Sequence, residues 1–258
     1  MNFQSIAPNK DISLFVKDIL VFESSDTAVK TCLPFFADGY PGLMFHQSPA
    51  GLIVNPHKKL MPNLFLYGQT LKPIELEMSG AYRIIVFQLY PFLLKGFFNI
   101  TPVSINDNCY DLSEVKDFDV NALSATLLSL TDINQRVECL SHFLFQLFIL
   151  KKQNLDYKIL QVIKSIIKEK GTENIINIAK SHHINSRTLE RRFFAETGLS
   201  PKQFAKVIQF QSSLEQLNYK DFTKLTDIVY ENGFSDQSHF IKVFKAYTGK
   251  TPNAFIRQ

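Results

Sequence analysis

Two stretches decide the reading of this chain: Ser186–Phe204, SRTLERRFFAETGLSPKQF, and Gln237–Phe255, QSHFIKVFKAYTGKTPNAF. Shifted by 51 residues, Leu189, Arg191, Phe193, Ala195, Thr197 and Gly198 fall on Phe240, Lys242, Phe244, Ala246, Thr248 and Gly249. The match runs on through Ser200, Pro201, Phe204 and Lys206 to Thr251, Pro252, Phe255 and Arg257. Self-similarity of this kind marks a duplicated supersecondary unit. Leu189 with Phe193, and Phe240 with Phe244, stand four apart, which puts each pair on one face of a helix. A glycine just past the helix end and a Ser-Pro or Thr-Pro after it supply a stop and a new start. Upstream of each copy lies a shorter segment, Ile175–His182 and Leu225–Asn232, then a break of a few residues. Each unit therefore reads as helix, turn, helix, cap, helix.

Two helices joined by a tight turn form a helix-turn-helix, whose second member can lie in the DNA major groove. With Leu189, Phe193, Phe240 and Phe244 packed inward, the opposite faces are forced outward. They carry Arg187, Glu190 and Arg191 in the first unit and Gln237, Ser238, Ile241 and Lys242 in the second. Arg and Gln can bond base edges bidentately, Glu can accept from cytosine, and Ile can touch a thymine methyl. Lys180, Lys202, Lys206, Lys245 and Lys250 surround these faces and can neutralise phosphates. Charge is distributed to match. Residues 1–154 hold 12 Lys/Arg against 14 Asp/Glu, a net −2, whereas residues 155–258 hold 16 against 10, a net +6. A basic module on a slightly acidic carrier points to a polyanionic partner.

Outward from the repeat, Ile159, Val162, Ile163, Ile166 and Ile167 form an apolar stripe at helical spacing that stops at Gly171. Pro201–Leu217 reads as a longer helix joining the two units. Before residue 121 the pattern is different. Short apolar runs at Leu43–His46, Leu52–Val54, Leu64–Tyr67, Ile74–Met78 and Tyr82–Tyr90 are separated by turn residues, which predicts a small antiparallel barrel or sandwich. Ala122–Leu130 and Ile133–Lys152 then read as helices. The end of the second is apolar nearly all round, so this helix is either buried in its own domain or pairs with a second copy through Leu140, Leu144 and Leu147. The fold expected is α+β in two domains: residues 1–120 β-rich, 121–154 a helical linker, and 155–258 an all-α double helix-turn-helix.

Gly233-Phe234-Ser235-Asp236-Gln237-Ser238-His239-Phe240, continuing through Phe244-Lys245 to Gly249 and Thr251-Pro252, resembles the signature of the AraC/XylS family of bacterial transcription regulators. The resemblance covers Leu155–Gln258. It implies two helix-turn-helix units inserting Arg187–Arg191 and Gln237–Lys242 into successive major grooves of double-stranded DNA. One departure is His183, which stands where the family usually has Gly in the first turn; His tolerates left-handed backbone better than most residues. More loosely, Phe15-Val16-Lys17, Ala37-Asp38-Gly39, Tyr67-Gly68-Gln69, and Arg83 followed by an apolar strand and Pro91-Phe92 resemble an uncharacterised cupin-like domain. That implies a sensor or dimerisation domain. A transcription activator with RNA polymerase as partner is expected, with a small-molecule effector and a homodimer as open alternatives.

The chain has 45% hydrophobic, 13% aromatic and 20% charged residues, enough to fill ordinary cores and unlike a disordered sequence. Its longest apolar stretches are interrupted by Gln88, Pro91, Lys95 and Gln146, short of a membrane span, and Met1–Lys10 shows no secretory pattern. A cytoplasmic protein is expected. Cys32, Cys109 and Cys139 show no paired spacing and read as reduced, buried thiols. The competing class is a cupin-type metal enzyme carrying a DNA-binding appendage, with His46, His57 and Glu75 as conceivable ligands. Their spacing is not diagnostic, and the expectation is no enzyme, no metal and no cofactor. Arg83 reads as an edge residue or a buried ligand anchor, and His239 as a phosphate contact or a packing residue.

Overall fold

The computed structural model describes residues 2–115, 118–219, 222 and 224–257; Gln258, the end of the expected helical module, lies outside them. Two compact units result. The first takes in Met1–Phe35, Tyr40–Gln69 and Ile74–Leu155, the second Phe36–Gly39, Thr70–Pro73 and Asp156–Gln258.

In the first unit, β1 (Asn2–Ile6), β2 (Val16–Ser24), β3 (Lys30–Phe35), β4 (Gly42–Gln47), β5 (Leu52–Asn55), β6 (Lys59–Met61), β7 (Leu64–Tyr67), β8 (Ile74–Ser79), β9 (Tyr82–Leu89) and β10 (Cys109–Asp111) form two antiparallel sheets. Their orders are β1-β2-β9-β4-β7-β10 and β3-β8-β5-β6. Alternation decides what faces what. Tyr82, Ile84 and Val86 of β9 join Met44, Phe65, Leu52, Val54, Leu76 and Met78 in a core shared by both sheets. Ile85 and Phe87, on the opposite face, are also fully buried. Five strands coincide closely with the apolar runs read from the sequence. Arg83 does not sit at an edge, because β9 lies between β2 and β4.

The same unit contains α1 (Leu93–Phe98), α2 (Val120–Ser129) and α3 (Ile133–Lys151). Asp132 caps α3 through the Gln135 amide at 3.0 Å. Here one expectation is corrected: Leu140, Leu144 and Leu147 are 0–4% exposed within the single chain, so they form interior packing and not a free dimerisation face. The cause lies at both ends of the helix. Phe148 stacks on Phe15 at 5.1 Å, and the Arg136 guanidinium lies 5.3 Å over the Phe45 ring. The outward face is mainly polar, with Asn134, Gln135, Glu138, His142 and Gln146 exposed.

The second unit is helical: α4 (Tyr157–Lys168), α5 (Ile175–Ser181), α6 (Ser186–Thr197), α7 (Pro201–Tyr219), α8 (Leu225–Glu231), α9 (Gln237–Thr248) and α10 (Pro252–Ile256). Val207, Phe210, Leu214 and Leu217 of α7 pack with Ile228, Val229, Phe240 and Phe244. Ala37 belongs to that core, its carbonyl accepts from the Gln211 amide, and the Phe36 ring meets Phe255 edge-on at 5.6 Å. A boundary drawn at Leu155 from sequence omits the two short segments Phe36–Gly39 and Thr70–Pro73.

Candidate nucleic-acid interface

The two helix-turn-helix units are built by the same bonds. In the first, His182, His183 and Ile184 donate their amides to Ile178, Lys180 and Ala179 carbonyls; in the second, Asn232, Gly233 and Phe234 donate to Ile228, Tyr230 and Val229. Next, Asn185 caps α6 through the Thr188 amide, and Asp236 caps α9 through the His239 amide, each at 2.8 Å. At the far ends Gly198 (φ 74°) and Gly249 (φ 76°) adopt the left-handed conformation. Thr197 and Thr248 donate their hydroxyls to the Phe193 and Phe244 carbonyls, both at 2.8 Å. The turns differ in one respect: Ile184 directly precedes the Asn185 cap, whereas Ser235 stands between Phe234 and the Asp236 cap. The second turn is thus one residue longer. His183 takes the left-handed conformation (φ 48°) that Gly233 takes in the second turn (φ 71°), as its position in the first turn predicts.

This frame buries the four residues read as inward and leaves most of those read as outward exposed. Leu189, Phe193, Phe240 and Phe244 are fully buried, while Arg187, Glu190, Arg191, Gln237, Ser238 and Lys242 are exposed. Ile241 is half-buried. Of the phosphate candidates, Lys180, Lys202, Lys245 and Lys250 are exposed and Lys206 half-buried. His239 packs edge-on against Phe234 at 5.7 Å, and its Nδ1 lies 3.2 Å from the Ser235 hydroxyl, which favours the packing role. Asp236 is held below the usual carboxylate range by the His239 amide it accepts from, with help from the Ser235 hydroxyl.

The sequence reading missed what fastens the first unit. Arg192, beside the base-reading candidate Arg191, turns the other way and grips Asp156 through Nε (2.9 Å) and Nη2 (2.6 Å). Asp156 in turn caps α4 through the Ile159 amide at 3.1 Å, and Lys158 donates to the His183 carbonyl at 3.0 Å. The Leu-x-x-x-Phe spacing sets Arg191 opposite the buried pair and Arg192 toward its flank, but only the position of α4 reveals the partner that Arg192 meets there. The second unit is tied instead by the Asn232 amide, which donates to Gln216 Oε1 at 2.5 Å and to the Ile228 carbonyl at 2.9 Å.

The candidate metal ligands do not converge. His46 is buried with Nε2 3.0 Å from the Pro62 carbonyl, and burial pushes its pKa down. His57 Nε2 lies 3.1 Å from the Asp107 carbonyl. Among the described residues no group of three or more His, Cys, Asp or Glu could hold a metal ion. Cys109 is buried and its thiol is pushed up to about 12 by desolvation, so it stays protonated. Cys32 is exposed, against the expectation of a buried thiol, because it lies on the outward side of β3; Cys139 is half-buried.

The comparisons with known proteins bear on both units. A helix-turn-helix domain family matches residues 178–258, and a domain of unknown function, DUF6597, matches residues 4–111. Over 81 residues the chain is 32% identical to the transcriptional regulator RipA of Corynebacterium diphtheriae, covering 31% of this chain and 24% of that protein. It is 31% identical over 81 residues to the transcriptional activator RhaS of Escherichia coli, covering 31% and 28%. The chain therefore spans about a quarter of the length of the curated relatives it matches. A crystal structure of ToxT from Vibrio cholerae aligns over 100% of this chain and 98% of that one, with a TM-score of 0.49 and 15% identity. The C-terminal module contains a helix-turn-helix domain of the kind found in these transcriptional regulators. The match to the DUF6597 domain lies N-terminal to it and takes in most of the β-rich unit's strands.

Proposed function

We propose that this chain is a sequence-specific DNA-binding transcription regulator that sets α6 and α9 into successive major grooves of one duplex. One observation carries the reading: two helices in the same bonded frame present exposed Arg187, Glu190 and Arg191, and Gln237, Ser238 and Lys242, none of which the fold needs for packing. Exposed lysines around them supply the sequence-independent attraction to phosphate. By analogy with the RhaS and RhaR activators, the sign of regulation is activation; a regulator of this kind acts on RNA polymerase in the cytoplasm. The β-rich unit serves as the sensor for a small-molecule effector. With Leu140, Leu144 and Leu147 interior, a homodimer, if formed, uses another surface. Selecting genomic fragments on the purified full chain and titrating the best one against salt tests the proposal. Five lysine–phosphate contacts predict a slope of log K on log salt of about −4.5. A flat salt response, or no enriched sequence, would refute it.

A further inference from the structure

A cavity of about 550 Å³ opens at one end of the β-rich unit, where β2 and β4 finish and β9 begins. Its lining includes Glu23, Ser25, Gln47 and Arg83. Strand register explains why these meet: Glu23 pairs with Arg83 and Arg83 with Gln47, so all three side chains leave the sheet on the same face. Arg83 Nε stands 3.4 Å from Glu23 Oε2, and its Nη1 donates to the Thr131 carbonyl at 3.0 Å.

Behind this row stands Arg136 of α3, only 1% exposed. Its Nε donates to the Leu130 carbonyl at 2.9 Å and its Nη2 to Gln47 Oε1 at 2.8 Å, while Nη1 has no partner among the described residues. No ion pair forms at Arg136 among those residues, and burial together with the Arg83 charge disfavours its protonated state. A guanidinium cannot escape that cost by losing its proton, so a buried one calls for an anion nearby. The local count is two guanidinium groups to one carboxylate, a surplus of one positive charge. Because Gln47 Oε1 accepts from Arg136, the Gln47 side chain is left with its NH2 group to offer a ligand.

We propose that this cavity binds a small carboxylate monoanion, held by Arg83 and the Gln47 amide with Arg136 supplying positive charge from behind. A hydroxyl on the ligand would donate to Glu23. The site deepens the proposed sensor role, on which only its regulatory consequence rests. That consequence follows from the same bonds: Arg83 and Arg136 hold the Thr131 and Leu130 carbonyls at the α2–α3 junction, so an anion drawing on both arginines acts on that junction.

The test is thermal unfolding of the full chain in sodium acetate, lactate or propionate against sodium chloride at equal ionic strength. Saturating carboxylate is expected to raise Tm by about 3 °C or more beyond chloride, and Arg83→Gln to abolish the difference. An equal shift in wild type and Arg83→Gln, or no shift with any of the three, overturns the proposal. A crystal soaked in sodium bromide gives a reading independent of the variant: an anomalous peak within hydrogen-bonding reach of Arg83 supports the site, and an empty cavity counts against it. Measuring DNA affinity with and without the carboxylate separates the two readings. A Tm shift with unchanged DNA affinity keeps the site and rejects sensing, and a Tm shift in a chain that binds no DNA keeps the site and rejects the regulator.

Discussion

The two helix-turn-helix units share a backbone and differ in chemistry. The first turns through a histidine, caps its second helix with neutral Asn185 and offers two arginines and a glutamate; the second turns through Gly233, caps with Asp236 and offers Gln237, Ser238 and Lys242. The shared bonds are those that the fold requires, and the differences fall where the fold is indifferent. That division is what a duplicated scaffold with two separate reading heads should show.

Breaking the shared part should give the largest effects. Phe193→Ala and Phe244→Ala each empty a fully buried ring site and should cost about 3–5 kcal/mol of stability, measured by denaturant unfolding of the full chain. Unequal costs would show that the two units are not energetically equivalent.

The reading faces come next. Arg187→Ala or Arg191→Ala should cost about 1–3 kcal/mol on the best DNA site and relax preference at one or two base positions. Lys202→Ala should weaken all sequences alike. A uniform loss for both arginines would demote them to phosphate contacts.

The turns sharpen the comparison at smaller scale. Gly233→Ala puts a Cβ 3.1 Å from Thr172 Cγ2 in a left-handed conformation and should destabilise by about 1–2 kcal/mol. His183→Gly relieves the matching strain but loosens the unfolded chain, so its net effect should stay below about 1 kcal/mol. Finally, Asp236 has a folded pKa below its unfolded value, so the stability it contributes is complete above the ordinary carboxylate range and is lost as pH falls through the folded pKa. Asn185 does not titrate. The protection of the His239 amide, relative to its intrinsic exchange rate at each pH, should therefore fall on acidification more than that of Thr188, and the Asp236→Asn variant should remove the difference.

How much of this was legible beforehand depended on how local the signal was. The helices of the repeat could be read because caps, glycines and apolar pairs lie within a few residues of one another. Strands β4, β5, β7, β8 and β9 announced themselves by short apolar runs between turns. β1, β2 and β3 did not, since Asn2–Ile6 is largely exposed and Lys30–Phe35 is mixed, their strand state being set by partners far along the chain. Likewise the apolar C-terminal part of α3 fits both burial and pairing by sequence, and only the β-rich unit's own Phe15 and Phe45 decide for burial. Arg136 and its neighbours Gln47 and Arg83 were invisible as a group, because 89 residues separate Gln47 from Arg136.

The central claim is that both reading faces engage one duplex at once. Methylation interference on the best selected site measures this directly, since N7 methylation blocks contacts in the major groove. Two clusters of interfering positions about 10 base pairs apart are expected, with Arg191→Ala erasing one and Lys242→Ala weakening the other. A single cluster, unaffected by one of the two substitutions, would contradict the account.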